Sequence, residues 1–448
     1  MTQSRLTFAM FGLALLVMPR GACAQAGSFS QANMPMLGSG QMPTAVPKDD
    51  LSPSNVFQMS IAAGVRFDDN AALGSRVRQS DIGYSFMPSL AFTQTLRRLD
   101  WGLSYGPGVD ISEHHLYGDQ FTNDFGGHFT WLISKRSVFS AQQNYILSTD
   151  PFQQFGSQPY TTTPGPIVSP NQSIYLPNVR RTANLSQVQY SYALGARTTF
   201  GMSGAFGSER FRNTSVSGAA KNGLINSQAA YGNVYISHQI SRRNQMGFQY
   251  AAQVFKFKGV NARTTTHSFL IFDDVKLTPN STLSLYGGPE YSRISNQVDL
   301  ALGFVTIVIP VKANLWTWSG GGIYSLSGRR TAIVLNYSRR ISNGGGLMGT
   351  VELDGGSADL NWKLSKNWNL RLDLAAADNQ LLAVKSSQNE LRTYSASLGF
   401  SRKIFKNMFM NLFFERLNQT GSIVGLAAGN HDLAGISFAY NFVKPLGR

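Results

Sequence analysis

A two-residue alternation of apolar with polar or small side chains starts near residue 57 and recurs to the C-terminal end of this chain. In the first copy, the apolar positions are Phe57, Met59, Ile61, Ala63, Val65 and Phe67. Successive side chains of a strand point to opposite faces, so the pattern predicts strands with one apolar and one polar face. A polytopic helical membrane protein is excluded, because the only long apolar stretch lies at the N-terminus and no helix of about 20 apolar residues is available.

Eighteen segments carry this alternation. They are 57–67, 82–93, 101–112, 120–134, 137–148, 182–195, 198–212, 226–240, 245–258, 263–277, 281–293, 313–326, 331–342, 356–364, 368–378, 390–402, 408–418 and 432–443. The connections alternate strictly between short turns and nine longer segments, such as 68–81 and 294–312. The predicted fold is all-β, a transmembrane antiparallel up-and-down β-barrel of about 18 strands (16 possible), with its short turns in the periplasm.

Composition supports a barrel whose apolar face points outward. Only 14% of residues are charged, against about 25% in soluble domains, while 42% are hydrophobic. A sheet can enter hydrocarbon only when it closes, because an unpaired backbone group there costs several kcal/mol. The alternative is a soluble sandwich or β-solenoid with a dry core, which the Gly-, Ser-, Gln- and Asn-rich second face disfavours.

The N-terminal segment predicts secretion. Arg5, an apolar run over 6–18 and the small triplet Ala22-Cys23-Ala24 have the layout of a cleavable signal peptide. We expect a signal peptide at 1–24 cleaved near Ala24, a flexible periplasmic leader at 25–55, and a barrel at 56–448 in the bacterial outer membrane. A lipoprotein acylated at Cys23 is the alternative, which Arg20 disfavours.

Strand parity places a set of charged residues on the polar face. A cation on the lipid face near the midplane costs about 2–4 kcal/mol, so charged residues should face the lumen. The lumen-facing candidates are Arg66, Asp124, His128, Glu209, Glu290, Arg340, Arg371, Asp373 and Glu415. Two interpretations remain open: a hydrated pathway that selects solutes by charge, or cross-strand pairs in a filled interior.

Two connections are candidates for a constriction or lid. The third long connection, between residues 149 and 180, contains Pro151, Pro159, Pro164, Pro166, Pro170 and Pro177. A segment this rich in proline cannot be a strand, and it either covers the barrel or folds into the lumen. The 294–312 connection is too apolar for a bare solvent loop and predicts a hairpin or lid. Surface decoration is the alternative for both.

The short turns are basic. The predicted periplasmic rim carries Arg97, Arg98, Lys135, Arg136, Arg242, Arg243, Arg329 and Arg330, in a chain of net charge +15. Such a ring attracts anionic lipid headgroups or, alternatively, an acidic polymer or protein. Outer-membrane lipids are therefore the expected partners, and the compartment argues against nucleic acid.

No catalytic residue, metal site or cofactor is predicted. The segment Gly102-Leu103-Ser104-Tyr105-Gly106 matches the G-x-S-x-G pattern, but that chemistry needs a sharp strand-to-helix turn, and Ser104 lies in mid-strand. His114 and His115 are adjacent, so in a strand they would point to opposite faces rather than to one metal ion.

The segment Phe67-Asp68-Asp69-Asn70, with Ser80-Asp81 and Met87-Pro88-Ser89-Leu90 after it, resembles the start of a family of outer-membrane β-barrel porins whose genes often accompany exopolysaccharide synthesis and export genes. The resemblance covers roughly residues 56–112. It implies a non-enzymatic passage for exopolysaccharide or oligosaccharide export, with polysaccharide and periplasmic export or synthesis proteins as partners. The alternatives are a general diffusion porin for small, anionic solutes and an outer-membrane hydrolase.

Overall fold

The protein folds into one closed antiparallel barrel of 18 strands, which confirms the fold class predicted from the sequence. The computed structural model describes residues 54–71, 78–114, 120–148, 179–213, 225–258, 262–302, 305–344, 349–382, 390–421 and 429–445. Within these residues, no helix has the length and apolar character needed to cross a bilayer.

The strands follow one another around the barrel in chain order. They are β1 (Ser54–Asp68), β2 (Asp81–Thr95), β3 (Leu99–Ser112), β4 (Gln120–Ser134), β5 (Ser137–Ser148), β6 (Val179–Ala193), β7 (Thr198–Asn213), β8 (Ser227–Gln239), β9 (Asn244–Phe257), β10 (Ala262–Thr278), β11 (Ser281–Leu302), β12 (Val305–Ser327), β13 (Thr331–Ser342), β14 (Val351–Lys363), β15 (Trp368–Leu381), β16 (Glu390–Lys403), β17 (Met408–Gly421) and β18 (Gly429–Pro445). Pairing of β1 with β18 over residues 56–68 closes the barrel, so the sheet has no free edge strand.

The barrel has its apolar face outside. Phe67, Phe86 and Phe248 are 50%, 46% and 64% exposed, although large apolar side chains are normally buried in water-soluble proteins. On the opposite face of the same strands, Arg66, Ser85 and Gln249 are buried or half-buried. This polarity is the reverse of that in a soluble sandwich, and the soluble alternative is therefore wrong.

The eight predicted short turns all lie at one end of the barrel, together with the start of β1 and the end of β18; we call this the turn end, and the opposite end the loop end. The strict alternation of short and long connections is wrong at two places. β9 and β10 are joined by four residues, 258–261, and β11 and β12 by two, 303–304. The 294–312 connection forms a hairpin, one of its two predicted forms, and this hairpin extends β11 and β12 by pairing from Ser295↔Lys312 to Leu302↔Val305.

The wall separates between β12 and β13 toward the loop end. β12 pairs with β13 only over Gly320–Ser327, whereas it pairs with β11 along 22 residues. At the separation, a Cβ added to Gly321 would lie 2.3 Å from the carbonyl oxygen of Tyr337, so the close approach of the two backbones requires glycine. The separation leaves the end of β13 able to contact the far wall.

Candidate functional site in the barrel interior

All nine charged residues that parity assigned to the lumen lie on the inner face of the barrel. They lie on the face opposite exposed apolar side chains; in β4, for example, Asp124 and His128 alternate with exposed Phe121, Phe125 and Phe129. In β15, the register with β14 places Arg371 and Asp373 on the face opposite that of exposed Trp362. Their environments differ, and the differences follow the sector of the barrel in which they lie.

Arg66 is fixed by an ion pair that spans three strands. Its Nη2 atom lies 3.1 Å from Oδ2 of Asp110 in β3, and the arginine side chain crosses Gly83 of β2 to reach it. A Cβ at Gly83 would come within 2.8 Å of Arg66 Nε and 3.0 Å of Asp110 Oδ1. Glycine at this position therefore makes room for the ion pair.

Glu209 lies at the centre of a buried polar cluster near the loop end. It forms an ion pair with Arg181 of β6, and the two side chains are 1% and 3% exposed. Asn343, in the connection between β13 and β14, donates from Nδ2 to Glu209 Oε2 and to Ser227 Oγ, both at 2.9 Å. Residues 134 positions apart are thus joined across the mouth of the barrel.

A second contact joins the same connection to β10. Thr350 and Thr264 share a hydrogen bond of 2.6 Å between their buried hydroxyl oxygens. Beside it, Phe255, Ile294 and Ile341 belong to one buried apolar cluster drawn from β9, β11 and β13. The β13–β14 connection is therefore fastened to the β7–β10 wall by polar and apolar contacts, and this closes the loop end over that sector.

Arg371 and Asp373 of β15 form a more open pair. Arg371 Nε lies 2.8 Å from Asp373 Oδ2, and Ser397 of β16 donates to the same oxygen at 2.9 Å. The arginine side chain remains 43% exposed. Asp359 of β14 stands directly opposite Asp373 in the strand register. This sector thus presents a charged inner surface that water reaches.

The remaining predicted charges are distributed around the wall. His128 Nε2 lies 3.4 Å from Asp100 Oδ2. Glu290 and Arg340 are buried, whereas Asp124 and Glu415 are half-buried. Sequence reasoning did not single out Arg181, although it lies on the inner face; the predicted strand started one residue after it.

Carboxyl groups outnumber arginines on the described inner surface between the two ends. Arg66, Arg181, Arg340 and Arg371 stand against Asp110, Asp124, Glu209, Asp274, Glu290, Asp359, Asp373 and Glu415. An anion-selective pore would require the opposite excess. The inner surface therefore argues against the anionic-solute version of a diffusion porin.

The residues that carry the family resemblance fasten the barrel closure at the loop end. The imidazole Nε2 of His431 in β18 lies 2.5 Å from Asp68 Oδ1, and the Asp432 backbone N–H donates to Asp69 Oδ1 at 2.7 Å. Asp81, opposite Asp68 in the register, accepts hydrogen bonds from Ser112 and from the His114 backbone N–H. In this structure, the motif holds β1, β2, β3 and β18 together.

The other candidates from the sequence have simpler positions. Ser104 is buried in the middle of β3, with no strand-to-helix turn beside it. In the described part of the chain, no three His, Cys, Asp or Glu side chains are grouped to hold a metal ion. The eight rim cations are all exposed in turns at the turn end. Outside the described residues lie the predicted signal peptide, residues 25–53 of the leader, and Pro151, Pro159, Pro164, Pro166, Pro170 and Pro177.

Comparison with known proteins returns similar folds only. No protein-family model and no curated protein sequence matches the chain. Among solved structures, the ferric-catecholate import receptor Fiu from E. coli K12 is 8% identical, covering 88% of this chain and 82% of the receptor, with a TM-score of 0.44. OpdO of Pseudomonas aeruginosa is 10% identical over 88% and 98% of the two chains, with a TM-score of 0.41. OccAB4 of Acinetobacter baumannii is 8% identical over 89% and 100%, with a TM-score of 0.43. Identities and scores this low transfer no function.

Proposed function

We propose that this protein is a non-enzymatic outer-membrane barrel that provides a passage for exopolysaccharide or oligosaccharide export. The observation that carries the proposal is the reversed polarity of a closed sheet, with apolar side chains exposed outside and polar ones enclosed. Such a surface is stable in hydrocarbon, where a closed barrel pairs the backbone groups of the wall, here except where β12 separates from β13 toward the loop end. Cleavage near Ala24 and a periplasmic turn end belong to the same proposal.

The inner surface suits a hydrated, uncharged or weakly charged cargo. Arg66 and Arg371 are neutralised by Asp110 and Asp373, and hydroxyl and amide side chains line the strands between them. Sugar hydroxyls can exchange hydrogen bonds with such groups at little net cost, since each bond replaces one to water. The family resemblance supports a polysaccharide as the cargo.

A mouth that is covered on one side favours an export passage over an open diffusion porin. The contacts of Asn343 with Glu209 and of Thr350 with Thr264 cross the loop end on one side. A passage that opens only for its polymer would protect the cell from free diffusion of solutes. We therefore expect small single-channel conductance from the purified protein in planar bilayers.

The test is to release the closure. Thr350→Ala combined with Asn343→Ala removes the cross-mouth hydrogen bonds and should raise the conductance severalfold. Thr282→Ala is the matched control: its hydroxyl makes an equally short bond of 2.6 Å to Ser325, but within the β11–β12 wall. Deletion of residues 150–179 tests the proline-rich connection in the same assay.

The outcomes separate the candidates. A large, unblocked current in the unaltered protein would favour the general porin and contradict the closed passage. In the native cell, deletion of the gene should reduce polysaccharide in the medium, and Ser104→Ala should restore it fully. Loss of function in Ser104→Ala would instead support the hydrolase.

A further inference from the structure

Four cations form a patch on the outer wall near the loop end. Lys256 of β9 stands directly opposite Arg263 of β10, Arg263 opposite Ser295, and Ser295 opposite Lys312 of β12. Arg293 of β11 lies on the same face, one row closer to the barrel centre. Because adjacent strands are about 4.8 Å apart, the row from Lys256 to Lys312 spans roughly 15 Å. We call Lys256, Arg263, Arg293 and Lys312 the cationic patch.

The patch lies next to an aromatic surface. In the row below Arg293, His267, Tyr291 and Trp316 stand side by side on the outer face. The rings of Tyr291 and Trp316 are 5.1 Å apart, and Trp316 is 67% exposed. Aromatic rings of this kind mark the level where a barrel leaves the hydrocarbon and enters the headgroup region. The cations therefore stand where lipid phosphates lie.

On the β13–β18 side of the outer wall at the loop end, cations lie beside carboxylates. Arg339 pairs with Glu352 and, at 3.1 Å, with Asp354; Arg392 pairs with Glu390; and Arg416 lies 3.7 Å from Asp432. None of the four patch cations makes an ion pair with a carboxylate in the described part of the chain, and all four are exposed. Placing like charges directly opposite each other destabilises a sheet. The patch therefore favours the binding of an anionic ligand.

We propose that the cationic patch binds the phosphate groups of a glycolipid in the outer leaflet, whose acyl chains lie along the aromatic and apolar wall below. An amphiphile satisfies both halves of the surface, whereas a free anionic polymer would leave Trp316 and its neighbours uncovered. Arginine is suited to the role because its planar fork binds phosphate oxygens in pairs. The inference rests on the proposed membrane location, with the loop end on the cell surface.

The experiment measures lipid binding to the purified, folded barrel in detergent by native mass spectrometry. The probes are bisphosphorylated lipid A and the same acylated diglucosamine without phosphates. The unaltered protein should bind the phosphorylated form at least tenfold more tightly. The fourfold variant Lys256→Gln, Arg263→Gln, Arg293→Gln and Lys312→Gln should lose that preference.

A control variant removes three outer-wall cations at the loop end that already lie beside carboxylates: Arg339→Gln, Arg392→Gln and Arg416→Gln. The control variant should retain the preference for the phosphorylated lipid. If the fourfold variant does not fold, Arg293→Gln alone replaces it and should weaken the binding of bisphosphorylated lipid A about fivefold. Equal binding of both lipids, equal losses in the patch variant and the control variant, or displacement by a phosphate-free anionic polysaccharide would overturn the proposal. The assay does not measure conductance. A barrel that binds lipid A but fails the conductance test would contradict the proposed passage and still support the proposed lipid site.

Discussion

Two parts of the same wall differ in how deeply their inner surfaces are buried. On β8, β9 and β10, the inner residues are buried along most of each strand, from Phe257 and Thr264 at the loop end to Ser237, Gly247 and Phe272 near the turn end. On β15, β16 and β17, only the loop-end positions, such as Asn379, Thr393 and Gln419, are buried. The inner residues of these three strands closer to the turn end are half-buried.

This contrast means that the interior is not a symmetrical pore. Water reaches the β15–β17 side and is excluded from the β8–β10 side. A charge pair therefore has different consequences in the two sectors, because burial removes the hydration that would otherwise compensate for a lost partner. The pair of Glu209 on β7 with Arg181 on β6 is buried beside the dry sector, and Glu209 stands opposite Ser227 of β8. The pair of Asp373 with Arg371 lies in the open sector, so the two pairs test this comparison.

The largest expected effect is on stability. Glu209→Ala should lower the free energy of unfolding by about 3–5 kcal/mol, because the buried guanidinium of Arg181 loses its carboxylate partner. Asp373→Ala should cost about 1 kcal/mol or less, since Arg371 stays hydrated. Urea unfolding in lipid vesicles, followed by tryptophan fluorescence, measures both. Equal losses of stability in Glu209→Ala and Asp373→Ala would mean that the two charge pairs are equally shielded from water, and would contradict the comparison.

A smaller effect is expected on chemical accessibility. The only cysteine of the sequence is Cys23, within the predicted signal peptide, so single cysteines can be introduced into the mature chain without a background. Ser397→Cys, on the open side, should react with a water-soluble thiol reagent roughly tenfold faster or more than Gln253→Cys, because reaction requires a thiolate in contact with water. Comparable rates would contradict the exclusion of water from the β8–β10 side.

The smallest effect is expected on ion selectivity. Asp359→Asn with Asp373→Asn should lower the cation preference of an opened barrel about twofold per charge, since a charge about 8 Å from an ion in water contributes roughly 0.5 kcal/mol. Glu290→Gln, in a buried part of the wall, should leave the reversal potential unchanged. A shift of similar size in Glu290→Gln would place the ion pathway along that wall instead.

The sequence was sufficient to predict the strands, but the predicted lengths of some connections were wrong. Every strand was found from its alternation, with ends displaced by a few residues at most except at β11, β12 and β14. The 294–312 segment was predicted as a connection because its alternation is masked by apolar residues on both faces, as in Phe304-Val305-Thr306-Ile307-Val308-Ile309. Backbone pairing with the neighbouring strand, which the sequence does not display, decided that it continues the hairpin.

The candidate site was also predictable only in part. Parity placed Arg66, Glu209 and Arg371 on the inner face, but it could not predict that Asn343 reaches Glu209, or that Thr350 reaches Thr264. These pairs are 134 and 86 positions apart, and nothing in the local pattern of either partner marks the other. The separation of β12 from β13 made both contacts possible.

From the sequence alone it follows which side of each strand is apolar, roughly how many strands there are, and that their polar faces share one enclosed space. These properties are local, because the direction of a side chain in a strand depends only on its position in the two-residue repeat. The folded barrel sets which charges meet, where the mouth is crossed and which side of the interior is dry. Those properties depend on contacts across a closed barrel between residues far apart in the chain.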